Sequence, residues 1–195
     1  MTSSLPPRIS QVGHVVPDLG AAIDGWVQLG VGPFLTMHNA TIGDHVYRGH
    51  PSKPKLDIGF GQNGDLMIEL IQQVNDEPSS YRDFLDQGRS GMQHMGWFCE
   101  DYEGALAAAA QRHLAELERG EWGGGHFTCF EPAAGNGVIT ELIELNDLTR
   151  KLFGLVRQEA DNWDGTEPVR SLVSESGWGL RWAAVKGEVS HLLGR

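Results

Sequence analysis

The chain has 195 residues, and its 15 Lys and Arg against 26 Asp and Glu leave a formal net charge of −11. That acidity argues against nucleic acid or an anionic membrane surface as a partner, because there is no basic patch to neutralise phosphates. No apolar run approaches the roughly 18 residues of a membrane span, and the N-terminus lacks a signal-peptide pattern, so we expect a cytoplasmic protein. The only cysteines, Cys99 and Cys129, are expected to be reduced core residues.

The first half of the chain predicts the element order β-α-β-β-β. A strand over residues 8–16 leads to Asp18, a good N-cap, and the apolar residues that follow recur at helical spacing. Residues 41–49 predict the second strand. Two further runs, 55–60 and 65–72, predict a hairpin, because an Asn-Gly pair between apolar runs is a strong turn signal.

The second half repeats the first. Sliding the chain by 83 positions places Gly13 on Gly96, and such a repeat predicts two similar modules that face each other. A polar linker, 74–91, contains a short helix near 81–87, and a strand at 92–99 then starts the second module.

The rest of the second module predicts a helix over 101–118 and strands over 126–131 and 138–145, with a further strand concealed near 115–122. A helix that follows Asn146 is expected to pack on the outside.

The tail, residues 161–195, holds three of the six tryptophans: Trp163, Trp178 and Trp182. Disordered tails seldom carry so much aromatic surface, so we expect it to dock on its own domain or on a partner subunit.

Two apolar strands each carry an unexpected carboxylate. Alternation along a strand assigns Glu69 to one face, and a shared Glu-Leu-Ile phrase matches it with Glu141. A charge inside an apolar strand is unfavourable unless it is paired, protonated or bound to a metal. Two inward carboxylates on facing sheets repel each other. A divalent cation between them, with His94 as a third ligand, is the simplest remedy.

Four phrases recur in one known group of proteins: Val-Val-Pro-Asp-Leu-Gly-Ala-Ala-Ile (15–23), Asp-Leu-Met-Ile-Glu-Leu (65–70), Gly-Met-Gln-His-Met-Gly-Trp-Phe (91–98) and Gly-Val-Ile-Thr-Glu-Leu-Ile-Glu-Leu (137–145). By these phrases the chain resembles the vicinal oxygen chelate superfamily. That group includes glyoxalase I, methylmalonyl-CoA epimerase, extradiol dioxygenases, and bleomycin and fosfomycin resistance proteins.

The resemblance implies an α+β fold of two βαβββ modules that form a cupped mixed sheet, the glyoxalase/bleomycin resistance/dioxygenase fold. It covers residues 8–146, with module 1 at 8–73 and module 2 at 92–146 on either side of the linker. Residues 147–195 are expected to form a C-terminal helix and a docked tail.

The resemblance also implies a divalent metal held by the first and last strand of each module, and Glu69, His94 and Glu141 fall on three ligand positions. The family histidine of the fourth position lies seven residues before the helix-capping Asp, where this chain has Gln11. His14 is three residues away and faces the other side. A histidine is the usual ligand, which favours His14, whereas the position within the strand favours Gln11. We favour Gln11, because shifting a strand by an odd number of residues turns every side chain to the other face. Oxygen and nitrogen ligands suit Mn, Fe, Co, Ni, Zn or Mg.

The activity that the resemblance implies is that of a metal-dependent isomerase, epimerase or lyase, acting on a small molecule through an enolate next to a carbonyl. Glu69 or Glu141 would move the proton, and Asp57, opposite in parity to the apolar residues of its strand, is a separate candidate base. The alternatives are a metal-free small-molecule binding protein of the resistance type and an Fe-dependent dioxygenase. We expect a homodimer.

Overall fold

The computed structural model describes residues 5–6, 8–132 and 137–172. Within them the chain forms four helices and one eleven-stranded sheet. The helices are α1 (Leu19–Gln28), α2 (Ser80–Asp86), α3 (Tyr102–Gln111) and α4 (Asp147–Asp161). The strands are β1 (Gln11–Val15), β2 (Phe34–Thr41), β3 (Gly43–Tyr47), β4 (His50–Pro51), β5 (Lys55–Asn63), β6 (Leu66–Gln73), β7 (Gly91–Cys99), β8 (Glu116–Trp122), β9 (Gly125–Phe130), β10 (Ile139–Glu144) and β11 (Val169–Ser171). No helix in this described part is long and apolar enough to cross a membrane.

The sheet order is β11-β2-β5-β6-β1-β7-β10-β9-β8-β3-β4. Its central strands form two halves, β2-β5-β6-β1 and β7-β10-β9-β8, which meet where β1 pairs antiparallel with β7. Each half contains one parallel pair, β1 with β6 and β7 with β10. The predicted α+β fold of two βαβββ modules in one mixed sheet is confirmed.

Helices α1 and α3 cover one face of the sheet, which we call the outer face. Asp18 and Asp101 cap these helices, since their side chains accept hydrogen bonds from the backbone N–H groups of Ala21 and Gly104. The helices bury one apolar cluster in each module, namely Leu19, Ile23, Val31, Phe34, Ile68 and Leu70, and Cys99, Tyr102, Ala105, Ala109, Phe130 and Leu142.

Helix α4 lies on the opposite, inner face, which corrects the expectation that it packs on the outside. Leu152 and Val156 are 2% and 0% exposed, and they share one core cluster with Ile58, Phe60 and Ile71 of the sheet. The helix therefore covers part of the space between the two modules.

The second strand of module 1 differs from the assignment made on sequence, whereas the further strand expected near 115–122 is present as β8. The second strand of module 1 is β2, which pairs with β5, whereas the strand expected at 41–49 is β3 and crosses to pair with β8 of module 2. The concealed strand of module 2 is β8. Helix α3 accordingly ends at Gln111, and His113 beyond it has a positive φ of 56°. Which strands pair depends on contacts between residues far apart in the chain, and the alternation along one strand does not reveal them.

The first part of the tail docks on module 1. Strand β11 pairs in parallel with β2, and the ring of Trp163 packs so closely on Gly32 that a Cβ there would lie 2.8 Å from it. Trp178 and Trp182 lie outside the described residues.

Candidate metal centre

Three side chains from both modules meet on the inner face. Glu69 lies on β6, His94 on β7 and Glu141 on β10, and one potential ligand atom of each lies within 4.8 Å of the others. The Nε2 atom of His94 is 3.3 Å from an oxygen of Glu69 and 3.3 Å from an oxygen of Glu141. The structure thus brings together three of the residues that the sequence singled out.

Two glycines make room for this convergence. Gly13 pairs with His94 across the junction of β1 and β7, and Gly96 pairs with Gln11. A Cβ on Gly13 would lie 1.9 Å from the His94 ring, and one on Gly96 would lie 2.8 Å from Oε1 of Gln11. The internal repeat also maps Gln11 on His94. Each module's glycine therefore leaves space for the side chain that the other module supplies.

Register places Gln11, and not His14, beside the carboxylates. Gln11 is 2% exposed and lines the same cavity as Glu69 and Glu141. The His14 ring instead packs edge-on against Trp26 of α1, with ring centroids 5.4 Å apart. The geometry agrees with the choice made on register, and the role of Gln11 as a ligand stays a prediction.

The centre is buried, and its charges are unbalanced. The side chains of His94, Glu69 and Glu141 are 2%, 12% and 9% exposed. Burial lowers the pKa of His94, but the neighbouring Glu141 and Glu69 outweigh it and the net shift is upward. Burial raises the pKa of Glu141; His94 opposes that rise and Glu69 adds to it. Two carboxylates this close are unfavourable without a positive charge between them.

Unpaired atoms at this position fit a divalent cation. Among the described residues, the buried Nε2 of His94, Oε2 of Glu141 and Oε1 of Gln11 lack a hydrogen-bond partner, although buried polar atoms are nearly always paired. Atoms bound at about 2.0–2.2 Å to one ion lie roughly 3–4 Å apart, which matches the spacing here. Cys129 is a buried free thiol whose pKa is raised by burial and by Glu141. The three clustered residues are two glutamates and one histidine, so their donor atoms are oxygen and nitrogen.

A cavity of about 60 Å³ lies against these residues. Both modules and α4 form its apolar walls, which include Ile58, Phe60, Trp122, Phe127 and Phe153. A larger cleft of about 500 Å³ adjoins it, and Trp122 and Thr149 line both. The carboxylates therefore face a small apolar chamber with a wider approach.

Comparison with known families decides the assignment. Residues 10–130 match the family described as the glyoxalase/bleomycin resistance protein/dioxygenase superfamily. The chain belongs to this superfamily. One curated relative, the uncharacterized protein YqjC of Bacillus subtilis (strain 168), is 27% identical over 93 residues, which is 46% of this chain and 66% of the relative. The match thus spans just under two thirds of that relative's length.

Solved structures share the fold. Methylmalonyl-CoA epimerase from Mycobacterium tuberculosis matches with a TM-score of 0.53 and 18% identity, over 77% of this chain and 96% of its own. The hypothetical protein BH1468 from Bacillus halodurans C-125 matches with a TM-score of 0.51 and 15% identity, over 71% of this chain and 94% of its own. At such identities the likeness shows the fold alone.

Asp57 does not reach the centre, which corrects its assignment as a separate base. Ile58 and Phe60 line the cavity, so Asp57 lies on the outer face. There the Nδ1 atom of His38 is 2.8 Å from its Oδ2, and the backbone N–H of Asn39 donates to its Oδ1 at 2.8 Å. The parity argument identified two faces correctly, but on this strand the apolar face turns toward the cavity.

Sequence reasoning missed the residues that close the cavity. Tyr81 of α2, Trp122 of β8 and two residues of α4, Thr149 and Phe153, all line it. Their sequence signal is ordinary amphipathic patterning, which predicts burial but does not say against what.

Replacing Gln11 by His is expected to raise the affinity for Co²⁺ or Zn²⁺ roughly tenfold, because imidazole is a better ligand than a carboxamide. The space opposite Gly96 already accommodates a side chain here. Competition with a chromophoric chelator measures the affinity. His14→Gln is the matched control and should leave the affinity unchanged. If His14→Gln weakens binding and Gln11→His has no effect, His14 is the ligand.

Proposed function

We propose that the protein is a metal-dependent isomerase, epimerase or lyase that acts through an enolate on the carbon next to a carbonyl. The observation that carries this proposal is the buried convergence of Glu69, His94 and Glu141 on one point, with the Gln11 amide beside them. Membership of the superfamily supports a glyoxalase- or epimerase-like activity. Metal dependence, the reaction and the residue roles belong to the proposal.

A divalent cation at this centre supplies Lewis-acid stabilisation of the negative charge that develops on the substrate oxygen. His94 and Gln11 would hold such an ion as neutral ligands, and the charges of Glu69 and Glu141 would together balance it. The carboxylates, one from each module, also border the chamber. A carboxylate there removes the proton, and either the same group or its counterpart returns it. The apolar walls limit the access of bulk water to the reacting carbon, so the carboxylates and not free water move the proton.

The cavity walls favour a compact carbonyl compound with an apolar substituent. Within the described part of the chain, the residues that line the chamber and the cleft include no Arg or Lys. The cleft walls include Met37, Ala40, Leu148, Leu152 and Leu172. A CoA thioester would bring several phosphates without cationic partners, so we propose a substrate other than the one in the name of the epimerase with the same fold.

Metal removal tests the proposal. The purified protein is expected to contain a stoichiometric divalent metal by elemental analysis. It should catalyse solvent deuterium exchange at the carbon next to the carbonyl in a panel of small 2-substituted carbonyl compounds, followed by NMR. A chelator should abolish the exchange, and one of Mn²⁺, Co²⁺, Ni²⁺, Zn²⁺ or Mg²⁺ should restore it.

Other outcomes identify the alternatives. Tight binding of apolar compounds without metal or exchange would indicate a sequestering protein, which the aromatic walls favour. Turnover that consumes O₂ and requires Fe²⁺ would indicate a dioxygenase. Both modules of a single chain contribute to the chamber, so the proposed chemistry needs no second subunit. The homodimer remains a prediction, and light scattering of the purified protein checks it.

A further inference from the structure

A buried polar chain leads away from the metal centre. Nδ1 of His94 lies 2.9 Å from Oε1 of Gln93, whose Nε2 donates to Oγ of Ser80 at 3.1 Å. The Ser80 hydroxyl donates to Oε1 of Glu118 at 2.6 Å, and the Ser80 backbone N–H donates to Oε2 at 3.0 Å. Gln93, Ser80 and Glu118 are 3%, 4% and 0% exposed. We call these three residues the polar chain.

The direction of each hydrogen bond follows from Glu118. A carboxylate only accepts, and Glu118 receives both the N–H and the hydroxyl hydrogen of Ser80. With its single hydrogen committed, the Ser80 oxygen can only accept from Gln93, so the amide nitrogen of Gln93 faces Ser80. The amide oxygen of Gln93 therefore faces His94, and Nδ1 of His94 must carry a hydrogen to satisfy it.

In the neutral, ion-binding form of His94, that arrangement leaves Nε2 with a lone pair aimed between two carboxylates. Resting on the proposed metal-dependent function, we propose that Glu118 is a positioning residue. Through Ser80 and Gln93 it holds His94 as the tautomer and in the orientation that bind a divalent cation. Partners of this kind fix the ring of a ligating histidine and strengthen its basicity. Glu118 does not line the cavity, and the hydrogen bonds that it accepts come from Ser80.

The fold builds this chain from distant segments. Glu118 lies on β8, Ser80 begins α2, and Gln93 precedes His94 on β7. The crossing strand β3 adds His45, whose Nε2 lies 3.5 Å from Oε2 of Glu118 with both side chains fully buried. A fully buried carboxylate is unfavourable without such partners.

Glu118→Gln tests the chain with almost no change in shape. An amide has one acceptor oxygen for the two Ser80 donors, so the Ser80 hydroxyl turns its hydrogen toward Gln93. Gln93 then presents its amide nitrogen to His94. Ser80→Ala interrupts the same chain at a different point. Ser52→Ala is the matched control, since Ser52 is another buried serine and its hydroxyl donates to the Pro78 carbonyl, outside the chain.

We expect Glu118→Gln and Ser80→Ala each to weaken Co²⁺ binding by about 10- to 100-fold in chelator competition, while Ser52→Ala stays at the wild-type value. In the Zn²⁺-loaded, ¹⁵N-labelled protein, a protected Nδ1–H resonance, assigned by its loss in His94→Gln, should be present in the wild type and absent from Glu118→Gln. A loss of packing alone would not remove that signal selectively. Circular dichroism checks that each variant is folded. If Glu118→Gln does not fold, Ser80→Ala provides the test.

The outcomes separate the inference from the proposed function. Wild-type protein that binds no divalent ion overturns both. Wild-type protein that binds the ion, with equal affinity and an unchanged Nδ1–H signal in the two chain variants, overturns the positioning role and leaves the proposed function standing.

Discussion

Glu141→Gln is expected to remove the bound metal and to lower proton exchange by at least about 10²- to 10⁴-fold, the range that a positioned acid or base contributes. Glutamine keeps the shape of the side chain and removes its charge. The buried Oε2 of Glu141 lies 3.3 Å from Nε2 of His94, so the change acts on both the charge balance of the ion and the group that moves the proton. Elemental analysis and deuterium exchange by NMR measure the two effects separately.

Asp57→Asn is the matched control for this loss. Like Glu141→Gln, it exchanges a carboxylate for an amide. Asp57, however, lies in module 1 on the outer face, beside His38 and Asn39. Exchange and metal content should stay at the wild-type level. A Glu141→Gln protein that retains both its metal and its exchange rate would rule out the proposed centre.

Gly13→Ala is expected to displace the His94 ring, to abolish metal binding and to destabilise the fold by about 1–3 kcal/mol or more. The added Cβ would lie 1.9 Å from two atoms of that ring. His94 is 2% exposed, so any shift of its ring moves Nε2 within a buried site and away from the two carboxylates. Urea unfolding measures the stability, and Co²⁺ titration measures the loss of the site.

Two other glycines calibrate this prediction. Gly25 lies within α1, and a Cβ there meets nothing within 4 Å. Gly25→Ala should stabilise the protein by roughly 0.5–1 kcal/mol, because alanine has the higher helix propensity. Gly96→Ala should have an intermediate effect, since its close contact is with the end of the flexible Gln11 side chain. A Gly13→Ala protein as stable as the wild type, with its ion bound, would contradict the structure at the centre.

Much of the centre was predictable because it depends on local alternation and on the repeat. Adjacent side chains on a strand point to opposite faces, and the shared Glu-Leu-Ile phrase matched Glu69 with Glu141, so both were expected to point inward. His94 lies seven residues before Asp101, the cap of α3. The same spacing before Asp18, the cap of α1, selects Gln11 over His14. The structure places Gln11 beside the carboxylates and His14 under α1.

Other features depended on contacts between distant segments. Alternation placed Asp57 and its apolar neighbours on opposite faces of the strand. It could not tell which face lines the cavity, because that depends on the helices that cover the outer face. In the same way, the sequence of β3 predicts a strand but not that its partner is β8 of the other module.

The sequence by itself indicated two similar halves, from a repeat that is visible in one dimension, and the family resemblance supplied the βαβββ fold. The sequence also singled out Glu69, His94 and Glu141 as candidate ligands, because a carboxylate within an apolar strand is conspicuous. Only the tertiary structure decided that α4 covers the inner face, and that Glu118 reaches His94 through Ser80 and Gln93. Those contacts join residues far apart in the chain, and their free energy comes from burial and hydrogen bonding that exist only once the segments have met.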